Sequence, residues 1–277
     1  MYTSPTSKNL LAFLILSDNY LKNEYQKNGY AIVKNVISAD LANQVVEHVK
    51  WLKKRNPNVR PESFHHHMLI NDPFIHNIVE NNKLLDIVES IIGPNIALYG
   101  AHYIAKKPID GMPVGWHQDG SYWPLKPMNV VSVWLAGNHS KKNNGCMQLI
   151  PGTQDKHLLK PSQMKKMDLE KYVLDLAIDP KNIDESEAID VELNPGDISI
   201  HNPFIIHGSN PNKSKIWRIG LTLRFIPTST YVDRKNWECI LLRGKNITGV
   251  ENNYIKKPNF SSKDHMTFDG MENFYKY

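Results

Sequence analysis

The chain has 277 residues, 41% of them hydrophobic and 22% charged, a mix that excludes disordered and fibrous classes and leaves one large or two small globular domains. Its net charge of +5 is scattered over short groups such as Lys53-Lys54-Arg55 and Lys165-Lys166, with no basic block interleaved with aromatics, which argues against nucleic acid and for an anionic small molecule as partner. Two cysteines, Cys146 and Cys239, exclude a disulfide framework and fit a reducing, cytoplasmic setting, and the longest apolar run, over 10–16, is far too short to span a membrane.

No repeat and no Gly/Ser- or Pro-rich linker divides the chain, so a single domain over 1–277 is expected. The stretch "YLKNEYQKNGYAIVKNVISADLANQVVEHVKWLKKRN" predicts a helix, a stop at Gly29, a strand over 30–33 and a second helix. Ser38 is the N-cap of that second helix, and Leu41, Val45, Val49 and Leu52 share one face. A third helix follows Asp72-Pro73 and runs to Gly93, with Ile75, Ile78, Val79, Leu84, Leu85, Val88 and Ile92 apolar.

Beyond Gly93 the apolar period changes from that of a helix to that of a strand. "NIALYGAHYIAK", "NVVSVWLAG", "CMQLIPG", "AIDVELNPGDISIHN" and "WRIGLTLRFIP" are short, β-branched and aromatic, and bounded by Gly, Pro and Asn. In the last, Arg218, Gly220, Thr222 and Arg224 alternate with Ile219, Leu221, Leu223 and Phe225. Asn144-Gly145 is a turn signal, with Cys146 read as a core residue beyond it. The expected fold is mainly β with flanking helices: a double-stranded β-helix, the jelly roll of cupin-like proteins, packed on an N-terminal helical layer.

Among 12 histidines, only His117 begins a His-x-Asp or His-x-Glu triplet, His117-Gln118-Asp119. Alone such a triplet is more often a polar loop than a ligand pair. On an extended chain, however, residues two apart face the same side, so His117 and Asp119 can converge on one ion. The best third ligand is His207, near the end of the strand-like run "GDISIHNPFIIHGSN". Two imidazoles and one carboxylate with positions left open suit non-haem Fe(II). Arg218, eleven residues further on, supplies a guanidinium that would clamp the distal carboxylate of 2-oxoglutarate, and Ser209, two residues past His207, a hydroxyl for the same group.

The blocks "HQDGSYWPLKP", "VSVWLAGNHSKKNNGCMQLIPGTQ" and "GDISIHNPFIIHGSNPNKSKIWRIGLTLRF" resemble, in order, the phytanoyl-CoA dioxygenase family of Fe(II)/2-oxoglutarate enzymes, over a core of about 29–231. The resemblance implies iron ligands at His117, Asp119 and His207, a 2-oxoglutarate arginine at Arg218, a hydroxyl partner at Ser209 and a co-substrate tryptophan at Trp134. It places a further co-substrate contact at His102, where other members carry Met or Gln, and aligns another loosely near His65-His66-His67. Halogenases of the family replace the ligand carboxylate by Gly or Ala; Asp119 is retained, so the resemblance implies hydroxylation or another oxidative step.

The implied cofactors are Fe(II), 2-oxoglutarate and dioxygen, acting on a small-molecule substrate, with no nucleic-acid or membrane partner. The family's substrates range from acyl-CoA thioesters to amino-acid-derived solutes and natural-product intermediates, and the basic residues near the site favour a carboxylate- or phosphate-bearing one. Pocket walls are expected from His65 to Met68, Lys106, Lys107, Ser121 to Lys126 and Thr228 to Arg234, with the three consecutive histidines as a polar rim. Trp116, Tyr122 and Trp123 are left open between core and pocket, and Arg224 is read as a structural ion pair. Two rivals stand beside this reading. A cupin-like protein with a vestigial metal site would not need both the ligands and the arginine, and a zinc hydrolase has no use for Arg218.

Overall fold

The structure, a computed structural model, describes residues 20–259, 261 and 268; the apolar run over 10–16 lies outside them. Residues 20–28 are helical and give way at Gly29, whose φ of 79° only glycine adopts without cost. Strand β1 (Tyr30–Val33) follows. Helix α1 (Ala39–Arg55) begins where the Ser38 hydroxyl accepts the Leu41 N–H, and it buries Ala42, Val45, His48, Val49 and Leu52. The third expected helix is two, α2 (Pro73–Val79) and α3 (Asn82–Ile92). Asp72 caps the first through the N–H groups of Phe74 and Ile75, and Asn81 restarts the second by accepting the Leu84 N–H. The apolar period runs straight through the break, so the sequence pattern does not reveal it.

Ten further strands build the two main sheets: β2 (Ile96–Lys106), β3 (Val114–His117), β4 (Val131–Ala136), β5 (Met147–Ile150), β6 (Ile189–Val191), β7 (Ile198–His201), β8 (Ile206–Ser209), β9 (Arg218–Pro227), β10 (Glu238–Arg243) and β11 (Asn253–Tyr254); four two-residue strands pair separately as two small ribbons. They form a seven-stranded sheet in the order β1-β7-β4-β9-β2-β10-β11 and a four-stranded sheet in the order β3-β8-β5-β6. This is the mainly β jelly-roll architecture the sequence predicts.

Alternation decides which face does what. Val131, Val133, Leu135, Ile198, Ile200, Ile219, Leu221, Leu223 and Phe225 join α1, α2 and α3 in one buried apolar cluster. Truncating a member with no exposure, such as Leu52→Ala, is expected to cost about 2–5 kcal/mol. The intervening residues, among them Trp134, His201, Arg218, Thr222 and Arg224, turn to the opposite face, where they line a pocket with His117, Met147, His207 and Ser209 of the smaller sheet. The candidate site therefore lies between the two sheets. Cys146 and Cys239 are buried free thiols. No helix among the described residues is long and apolar enough to cross a membrane.

Candidate active site

His117 ends β3, and Asp119 opens the short helical turn that follows. Between them Gln118 is pinned in the other direction: its amide donates to the carbonyls of Phe204 (2.8 Å) and His157 (3.3 Å), and its oxygen accepts the Leu159 N–H (3.0 Å). That anchor turns His117 and Asp119 the same way. His207, on β8, stands opposite His117 in the antiparallel register. The triplet and the distant histidine thus meet as expected, with ligand atoms of His117, Asp119 and His207 all within 4.8 Å of one another.

The hydrogen bonds fix the tautomers of the two histidines. Nδ1 of His117 donates to the Gly115 carbonyl (2.9 Å) and Nδ1 of His207 to the Ile205 carbonyl (3.1 Å). A carbonyl only accepts, so each Nδ1 carries a proton, and in the neutral imidazole Nε2 is then the lone-pair nitrogen. Those lone pairs face Asp119 Oδ1 at 3.5 Å and 4.0 Å. With the histidines neutral, the three groups could hold one cation between them, and two imidazoles with one carboxylate fit Fe(II).

The charges agree. Burial would raise the Asp119 carboxyl, but the Arg224 guanidinium beside it holds it well below the usual carboxylate range. Burial and the neighbouring His117 hold His207 well below the usual histidine range. A carboxylate and a neutral imidazole are the forms a metal ligand needs.

From the triad an inner cavity of about 70 Å³ reaches Arg218. This side chain is 1% exposed, its Nη1 donates to the Ile104 carbonyl (3.2 Å), and its Nε and Nη2 have no protein acceptor. Burial pushes its guanidinium down to about 10, still charged at neutral pH. The guanidinium lies 5.3 Å from the centre of the Trp134 ring. Trp134 can cross β9 so closely because residue 220 is glycine: a Cβ there would fall 2.0 Å from Trp134 Cζ2.

Ser209 lines the same cavity, and its hydroxyl accepts from Lys106 Nζ at 2.7 Å. Lys106 also donates to the carbonyls of Ser209 and Asn210, and burial, then Arg218, holds its ammonium well below the usual lysine range. His102 donates from Nε2 to the Glu62 carbonyl at 2.8 Å; burial and Arg224 push it down to about 3, so it is neutral.

An outer chamber of about 650 Å³ opens on the far side of the triad. The three consecutive histidines, His65, His66 and His67, do line it, together with Tyr99, Trp123, Trp237, Arg224 and Arg234. Arg224 lies 5.1 Å from the Trp123 ring centre and Arg234 4.5 Å from that of Trp237.

Several expected wall residues are elsewhere. Lys106 is buried behind Ser209, and Lys107 pairs with Asp110 at 2.9 Å. Lys126 pairs with Asp233, and Thr228 and Thr230 are buried against the carbonyls of Lys245 and Asn129. Of the three open aromatics, Trp123 and Tyr122 reach the chamber, whereas Trp116 packs on the cluster around Ile150 and Ile178.

Two site residues escaped the sequence reading. Arg224 does form an ion pair, its Nε 4.0 Å from Asp119 Oδ2, but it does so inside the site, where it lines both cavities. His201 lines the inner one, with Nε2 3.6 Å from the same oxygen. The signal available for Arg224 was its phase with Arg218, and for His201 the alternation Ile198, Ser199, Ile200, His201.

The profile of the family described as phytanoyl-CoA dioxygenase (PhyH) matches residues 25–220. The peroxisomal phytanoyl-CoA dioxygenase of Homo sapiens is 32% identical over 159 residues, 55% of this chain and 46% of that protein. A probable alpha-ketoglutarate-dependent hypophosphite dioxygenase of Stutzerimonas stutzeri is 24% identical, covering 70% of this chain and 73% of that one. The chain spans about half the length of the first of the curated relatives it matches. Among solved structures, the non-heme monooxygenase ThoJ in its apo form superposes with a TM-score of 0.74 at 21% identity, over 87% of this chain and 89% of that one. The epimerase SnoN in complex with Fe3+ and alpha ketoglutarate gives 0.65 at 16% identity, over 90% and 98%. At such identities the likeness shows a shared fold.

Proposed function

The chain belongs to the phytanoyl-CoA dioxygenase (PhyH) family, and from that premise we propose that it is an Fe(II)/2-oxoglutarate-dependent dioxygenase oxidising an unactivated C–H bond of a small anionic metabolite. One observation carries the reading: ligand atoms of two imidazoles and a carboxylate lie within 4.8 Å of one another at one end of a pocket, and a buried guanidinium with two unpartnered nitrogens stands at the other.

His117, Asp119 and His207 would hold the iron. The chemistry such a centre supplies is oxygen-dependent C–H cleavage coupled to decarboxylation of 2-oxoglutarate to succinate. The chain's own residues position and exclude. Arg218 takes the distal carboxylate of 2-oxoglutarate through the nitrogens left open, Trp134 holds the guanidinium flat, and Ser209, itself tied to Lys106, adds a hydroxyl. Neutral His102 borders both cavities and contacts co-substrate or substrate without adding charge. Val173 and Leu174 line the inner cavity from a segment fastened by the bonds of Val173 N to the Pro113 carbonyl and Tyr122 Oη to the Leu176 carbonyl. They restrict water around the reacting centre.

The outer chamber receives the primary substrate. It carries Arg224 and Arg234 against Asp175 as the one acid besides the ligand Asp119, which favours a carboxylate- or phosphate-bearing molecule. An acyl-CoA thioester is the alternative, favoured by the 32% identity to the human relative; its phosphates would meet Arg234 at the rim. Succinate release measured with Fe(II), 2-oxoglutarate and a panel of small acids, their amides and acyl-CoA thioesters tests the reading. Stimulation by acids and not amides is expected. No succinate from any of them, with iron bound, would refute it.

A further inference from the structure

The registers of the large sheet place three polar residues side by side. Ser132 of β4 stands opposite His201 of β7 on one side and opposite Arg224 of β9 on the other. The row His201–Ser132–Arg224 thus crosses three neighbouring strands, while Val131, Val133, Ile200, Leu223 and Phe225 fill the apolar cluster behind it.

All three converge on a single atom. Ser132 Oγ donates to Asp119 Oδ2 at 3.0 Å, His201 Nε2 lies 3.6 Å from it, and Arg224 Nε 4.0 Å. His201 is 1% exposed, and neither of its ring nitrogens has a hydrogen-bond partner; Arg224 Nε has none either. Burying donors without acceptors is costly, so the row is shaped for the carboxylate it faces. The other carboxylate oxygen, Oδ1, is the one turned to His117 and His207.

We propose that the row His201–Ser132–Arg224 is a positioning device that occupies Asp119 Oδ2 and leaves Oδ1 alone to bind the metal. A carboxylate free to turn can chelate through both oxygens and take up a position the co-substrate needs; donors on Oδ2 remove that option. The inference rests on the metal reading of His117, Asp119 and His207, and extends it to three residues outside that triad.

The test is Co(II) binding by the full chain, titrated in competition with a chromophoric chelator, with the visible Co(II) spectrum as second readout. Partners of ligating groups are typically worth about 10- to 100-fold in metal affinity. Ser132→Ala and His201→Phe should each weaken Co(II) binding by about that factor and alter the spectrum, and His201→Gln, which keeps a donor, should recover most of the loss. Ser132→Ala removes one oxygen atom and decides the matter alone if His201→Phe does not fold. Wild-type affinity and spectrum in Ser132→Ala would overturn the positioning role. Wild-type affinity in His207→Ala would instead overturn the metal reading beneath it.

Discussion

Removing the Arg218 side chain is the perturbation whose consequence follows most directly from the geometry. The guanidinium is 1% exposed, spends one nitrogen on the Ile104 carbonyl and keeps Nε and Nη2 unpartnered beside Trp134. Lys106, the other cation at this end, is already committed to Ser209 and Asn210, so it cannot replace the lost fork. Truncating one side of a desolvated, charge-assisted pair costs about 2–4 kcal/mol. At about 1.4 kcal/mol per tenfold change, Arg218→Ala should raise the dissociation constant for 2-oxoglutarate by about 30- to 700-fold. Anaerobic calorimetric titration of the iron-loaded protein measures it. Iron stoichiometry should not change, and Arg218→Lys should recover only part, since an ammonium keeps the charge but not the planar fork. Pyruvate, which lacks the distal carboxylate, should lose its disadvantage against 2-oxoglutarate in Arg218→Ala. An unchanged preference for 2-oxoglutarate would refute the clamp and move attention to Arg224.

Gly220→Ala should push Trp134 off β9, because its Cβ would lie 2.0 Å from Cζ2; a stability loss of about 1–3 kcal/mol by denaturant titration and weaker 2-oxoglutarate binding are expected together. Asp119→Gly should abolish succinate release, and full activity there would show that Asp119 is no ligand. Stability should also fall at acid pH. Burial pushes His66 from 6.5 down to about 4, so the unfolded chain binds its proton first and stability drops as pH falls from about 6.5 to about 4. His66→Phe, which keeps a ring stacked on Trp237, should lessen the fall in melting temperature over that window, while His102 and His207, also held down by burial, keep their share of it. Arg234→Glu should weaken acid-stimulated turnover in the outer chamber while leaving 2-oxoglutarate binding intact, as a paired titration would show.

The sequence carries the β core clearly because alternation on strands such as β9 is strict and its two faces have different tasks. It carries the triad because a two-residue spacing on an extended chain is itself a geometric statement. It does not carry register. Ser132, His201 and Arg224 are far apart along the chain, and only the pairing of β7, β4 and β9 makes them neighbours; for the same reason the sequence suggests an ion pair for Arg224 without showing that its partner is Asp119. Lys106 misleads in the opposite way: a lysine near a site suggests a pocket wall, yet its stem runs inward to Ser209. The break between α2 and α3 is hidden because Asn81 restarts the helix without disturbing the apolar period.

The central claim, that His117, Asp119 and His207 hold an iron to which 2-oxoglutarate binds, is tested most directly by optical absorption under anaerobic conditions. Fe(II) and 2-oxoglutarate added together should give a visible charge-transfer absorption that saturates at one iron per chain, that neither component gives alone, and that His207→Ala lacks. Absence of that absorption in the wild-type protein, or its undiminished presence in His207→Ala, would contradict the account.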